Sequence, residues 1–83
     1  MSRTIKSMSL LNLASVRLAQ KRWPDTAILC REVLSARKGT PEHLSKSSRL
    51  LLADSLLEMG DTRGAHEALL GLYQHRLSLG EAL

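Results

Sequence analysis

Between residues 56 and 73 the apolar positions break at Met59-Gly60-Asp61 and resume as Ala65, Ala68, Leu69 and Leu72. The resumed spacing is i, i+3, i+4, i+7, one stripe of an α-helix. Thr26, Leu29, Cys30 and Val33 fall on the same template. Leu52, Ala53, Leu56 and Leu57 mark a further stripe, and Leu13, Ala14 and Leu18 another, with Arg17 interrupting the last. No segment alternates apolar and polar residues long enough to read as a strand, so the predicted class is all-α.

Punctuation divides the chain into four helices. The first is predicted from about Ile5 to Arg22 and the second from about Asp25 to Arg37, with Trp23-Pro24-Asp25 between them, because proline is tolerated in a first helical turn and not in a helix interior. Lys38-Gly39-Thr40-Pro41-Glu42 repeats that logic: Gly39 closes one helix, Thr40 caps and Pro41 opens the next, which runs from Pro41 or His43 to Met59. Gly60 can then close the third helix with positive φ, and Asp61 can accept the free amide hydrogens of a fourth, predicted over Thr62 to Arg76. Two antiparallel hairpins follow, over residues 5–38 and 41–77. Residues 78–83 remain as a tail, either frayed, cut from a longer chain or forming a partial fifth helix.

Composition narrows the picture. Eighty-three residues make one small domain with a thin core. With one Trp, one Tyr and no Phe, that core is built from Leu, Ala, Val and Ile, which suits closely approaching helices. A lone cysteine, Cys30, forms no internal disulfide, and a reducing compartment is expected, the cytoplasm or the nucleus. The start MSRTIKSMSLLNLA lacks the uninterrupted apolar stretch of a signal peptide, and no run reaches the ~18 apolar residues of a membrane span.

Charge is uneven. Residues 1–41 hold eight Lys or Arg against two acidic residues, a balance of +6, whereas residues 42–83 hold four against six, a balance of −2. Arg17, Lys21, Arg22, Arg31, Arg37 and Lys38 are the candidates for phosphate contact, but single-stranded RNA recognition also uses stacking aromatics and the chain offers only Trp23 and Tyr73.

Sliding the first hairpin along the second by 39 residues superposes Leu13 on Leu52, Ala14 on Ala53, Leu18 on Leu57, Thr26 on Ala65, Leu29 on Ala68, Cys30 on Leu69 and Val33 on Leu72. A shift of 38 pairs Ala27 with Ala65 instead and spoils the other second-helix matches, which leaves the register at 38 or 39. Repeated hairpins stack because neither copy covers its apolar face alone. "LLLADSLLEMGDTRGAHEALLGLY" resembles the tetratricopeptide repeat: Leu52-Ala53 stands for the usual Leu-Gly, Leu56 for a common Tyr, Gly60-Asp61 forms the elbow, and Ala65, Leu69 and Leu72 lie on the second helix. The first hairpin departs from the motif at Arg17, Thr26 and Pro24, and the repeat spacing exceeds the family's 34 residues by about five, an excess assigned to the Ala36–Ser45 connection.

The resemblance implies a scaffold that grips an extended peptide or partner helix along the surface lined by the first helix of each hairpin. It places Asn12, Ser15, Arg17 and Lys21 on that surface from one hairpin, and Ser47, Leu50, Leu51 and Asp54 from the other. The family's carboxylate-clamp set is matched only loosely, by Asn12. Trp23 is read as a seal at the first elbow, and Cys30 as a small hydrophobe. His43, His66 and His75 lack ligand-like spacing, and no phosphate loop, nucleophile elbow or carboxylate pair is present, so neither enzyme, metal nor cofactor is expected. The expected function is a protein-protein interaction module or adaptor in a multi-subunit complex. A small secretion-type chaperone sheathing a partner helix, or a nucleic-acid binder using the basic half, is the alternative. The apolar ends Met8-Leu10-Leu11 and Leu77-Leu79-Leu83 favour further neighbours, either self-association or a partner chain.

Overall fold

In the computed structural model the backbone is described over residues 3–35 and 40–82, and side chains over 5–35 and 40–72. The chain is all-α: α1 spans Arg3–Ala19, α2 Trp23–Ser35, α3 Glu42–Glu58 and α4 Thr62–Ala82. The Gly39 stop of the second helix lies outside the described residues, as does Leu83.

Both elbows turn by the same backbone device. At the second, Gly60 has φ 83°, its N–H donates to the Leu57 carbonyl at 3.0 Å, and the Asp61 N–H reaches the Leu56 carbonyl at 2.8 Å. This pair of bonds satisfies the last carbonyls of α3. Asp61 then caps α4, its Oδ1 accepting the Gly64 N–H at 2.9 Å. At the first elbow Lys21 has φ 61°, its N–H donates to Leu18 and the Arg22 N–H to Arg17, both at 2.9 Å. Lys21 and Gly60 are 39 residues apart, as are Arg22 and Asp61, so the two hairpins align at 39 and not 38.

Several boundaries move for local reasons. The first helix ends at Ala19 rather than Arg22, because Lys21 takes the left-handed conformation. The second begins at Trp23, two residues before the predicted Asp25: the Arg22 carbonyl accepts the Thr26 N–H at 3.0 Å, and Pro24 sits within a first turn that needs no donor there. Pro41, not Thr40, is the N-cap of α3 and makes no side-chain cap bond. The fourth helix does not stop at Arg76 but continues through the tail to Ala82, so no separate fifth helix exists among the described residues. A glycine closes a helix when it adopts positive φ, and among the described glycines Gly60 alone does so.

The elbows set up a stability contrast. A non-glycine residue in the left-handed conformation costs about 1–2 kcal/mol, and a Cβ at Gly60 would meet no atom within 4 Å. Lys21→Gly is therefore expected to stabilise the protein by about 1 kcal/mol and Gly60→Ala to destabilise it by about as much. Urea midpoints check both, and shifts in the same direction would contradict the shared geometry.

Packing follows from small residues. The core joins Ala14, Ala27, Cys30, Leu52, Ala53, Leu56, Ala65 and Ala68, with Leu29, Leu34, Leu51 and Leu69 packed against it. Ser48 and Ser55 are fully buried on α3 yet satisfied, donating to the Leu44 and Leu52 carbonyls at 2.8 and 2.9 Å. Bonded to their own helix, they act as small spacers. Among the described residues α2 packs on α1 and α3, α1 touches α3, and α4 packs on α3 alone. A closed four-helix bundle would return its last helix to its first; this chain instead forms a slab of 41 × 35 × 17 Å. Gly71 of α4 lies against the Arg49 guanidinium of α3, where a methyl group would collide with it. Two positions assigned to inward stripes differ: Leu57 and Leu13 are exposed.

Candidate interaction surface

The predicted surface residues separate into two groups. Asn12 and Ser15 are exposed on α1, three residues apart and hence on neighbouring parts of one face, and the Ser15 hydroxyl donates to its own helix at the Leu11 carbonyl, 3.1 Å away. On α3, Ser47, Leu50 and Asp54 follow i, i+3, i+7; Leu50 and Asp54 are exposed and Ser47 is half-buried. Since α1 and α3 touch, these five belong to adjacent helices of the slab.

The other three stand apart. Arg17 is half-buried, well round the helix from Asn12 and Ser15, and its guanidinium donates to Gln20 Oε1 at 2.9 Å. Lys21 is exposed at the left-handed elbow, past the end of α1. Leu51 packs against the core.

Among the described residues, Arg17 and Arg22 of the basic half line one groove and each has a partner. Arg22 pairs with Asp25 at 2.9 Å and Arg17 is engaged by Gln20, while Arg31 projects from α2. Arg37 and Lys38 lie outside the described residues, as do the side chains of Tyr73, His75, Leu77 and Leu79.

Among the described residues, open grooves lie beside both hairpin seams. One of about 240 Å³ between α1 and α2 is lined by Leu13, Arg17, Arg22, Asp25, Ile28 and Leu29. The other, of about 180 Å³ between α3 and α4, is lined by Glu42, Ser45, Lys46, Arg49, Gly71 and Leu72. Both fall below the ~300–1,000 Å³ typical of small-molecule sites. Among the described residues no three His, Cys, Asp or Glu side chains are grouped to hold a metal ion. Cys30 is fully buried, and desolvation pushes its thiol from the ordinary 9.0 up to about 11, so it is held in the protonated, unreactive form. No described helix is long and apolar enough to cross a membrane.

What the surface does offer is exposed aliphatic area. Leu50 and Leu57, seven residues apart on α3, are 55% and 51% exposed, and Ile5, Met8, Leu13 and Val16 on α1 and Ile28 on α2 are also exposed. Sequence periodicity counted Leu13 and Leu57 as interior. The repeat register sets Leu13 on buried Leu52 and exposed Leu57 on half-buried Leu18, so the sequence pattern holds no signal that separates them. Comparison with protein-family models, curated proteins and solved structures finds no match to this chain.

Proposed function

We propose that the protein is an interaction module, a short tetratricopeptide-like stack that holds an extended segment or helix of a partner protein across α1 and α3. The observation that carries this reading is the exposed pair Leu50 and Leu57 on α3, on the same helix as the polar groups Ser47 and Asp54, with Asn12 and Ser15 exposed on the adjoining α1. Aliphatic anchors of this kind fill pockets of apolar side chains, while neighbouring hydroxyl, amide and carboxylate groups bond a partner backbone. The open slab supports the same reading, because it leaves one side of α3 uncovered by any described helix.

The test is capture from native extract with mass identification, comparing the wild-type chain with Asn12→Lys/Asp54→Lys. Both positions are exposed, so the variant keeps its helical circular dichroism. A dominant partner retained by the wild type is expected to fall at least about tenfold with the variant, a loss of about 1.4 kcal/mol. Equal retention would overturn the assignment of this face.

A further inference from the structure

We propose that a second copy of this chain docks head to tail on the first, its α1 seating on the α3–α4 hairpin as α3 seats on the α1–α2 hairpin. The argument begins with α3, whose stripe Leu44, Ser48, Leu52 and Ser55 is buried throughout. Ser45 and Arg49, which border α4, lie at one edge of this stripe, and Leu52 shares the core cluster with Ala14 of α1 and with Ala27 and Cys30 of α2, so the stripe extends from the α4 side toward α1 and α2. Moved back by the 39 residues that align the elbows, the stripe falls on Ile5, Ser9, Leu13 and Val16 of α1. Those four are exposed. The chemistry is preserved at three of the four positions, aliphatic on aliphatic, serine on serine and leucine on leucine, and differs at the fourth, where Val16 stands for Ser55.

The opposite end shows the complement. Leu11 and Leu18 of α1 are half-buried, whereas their counterparts Leu50 and Leu57 of α3 are exposed. The first helix of a second copy thus carries the docking stripe of α3, and α3 carries the receiving leucines of α1. The α1–α2 groove bordered by Leu13, Ile28 and Leu29 adjoins the docking stripe. Charge agrees with this direction, since the docking half carries +6 and the receiving half −2, with Asp54, Glu58, Asp61 and Glu67 exposed on the receiving hairpin. A contact between two different faces leaves a free face at each end, so association is open-ended unless the rotation closes a ring.

Sedimentation equilibrium of the full chain and two variants tests this. Leu13→Lys/Val16→Lys removes the docking stripe and Leu50→Lys/Leu57→Lys removes the receiving leucines; circular dichroism verifies folding, and the single variants Val16→Lys and Leu57→Lys replace any double variant that unfolds. The wild type is expected to exceed twice the 9.2 kDa chain mass as concentration rises. Each variant alone stays at the chain mass, and an equimolar mixture forms a one-to-one complex, because each variant retains the face the other lacks. A monomeric wild type, a variant that associates as the wild type does, or a mixture that stays monomeric would each overturn the proposal. Leu13→Lys/Val16→Lys leaves Asn12, Ser15, Ser47, Leu50, Asp54 and Leu57 untouched, so partner capture by that variant in dilute solution reports on the partner surface separately from self-association.

Discussion

Leu52→Ala is expected to cost about 2–5 kcal/mol, while Leu13→Ala, at the matching place one repeat earlier, costs about 1 kcal/mol or less. Leu52 is 7% exposed and lies in the core with Ala14, Ala27, Cys30 and Leu56, whereas Leu13 is 39% exposed at the edge of an open groove. Deleting a buried isobutyl group loses its transfer free energy and leaves a cavity; deleting a partly wet one loses only a fraction of the first term. An 83-residue chain has a total stability of about 4–12 kcal/mol, so the first substitution removes a large share of it. Urea unfolding in dilute solution, where association does not contribute, separates the two. Equal losses would mean that the hairpins are not packed in series.

Cys30 supplies the second large effect. The thiol is fully buried and its pKa is pushed up to about 11 by desolvation, so labelling by a disulfide reagent at neutral pH must pass through an opening of the fold. Native labelling is expected to be slower than labelling in denaturant by a factor of at least about 10³. Rapid stoichiometric labelling of the folded chain would show that the core around Ala14, Ala27 and Leu56 is not closed. The same shift predicts a pH dependence. Below pH 9 the thiol is protonated in both states and stability is insensitive to it; between 9 and 11 the unfolded thiol ionises first, at 9.0, and stability falls as pH rises. Urea midpoints at pH 8 and pH 10.5 are expected to differ in that direction, with Cys30→Ala showing a smaller difference.

Features that depend on a few adjacent residues were legible in advance. Gly60 and Asp61 form the elbow as read, since a left-handed closing residue and a carboxylate three residues from a free N–H are local requirements. The first elbow was harder, because Lys21 reaches the same conformation without glycine's freedom, held by its own N–H bond to the Leu18 carbonyl and by the Arg22 N–H bond to the Arg17 carbonyl. Ser48 and Ser55 were hidden for another reason: a hydroxyl that bonds its own helix costs little to bury, so polarity alone misplaces it. Of the eight surface candidates, Asn12, Ser15, Ser47, Leu50 and Asp54 fall on adjacent helices, while Arg17, Lys21 and Leu51 depart from that grouping because of helix rotation, an early helix end and core packing.

The order of residues by itself determined four helices, two tight reversals and a kinship between the halves at a spacing of 38 or 39 residues, since hydrogen bonding within a turn and the 3.6-residue period act over short stretches of chain; the matching elbows then fixed the spacing at 39. Only the tertiary structure decided which of two equivalent leucines is dry, where α1 and α4 end, and that the helices build an open slab. Burial belongs to whatever lies alongside. Leu52 is covered by the α1–α2 hairpin, whereas Leu13 lies partly open among the described residues, a difference that no local pattern contains.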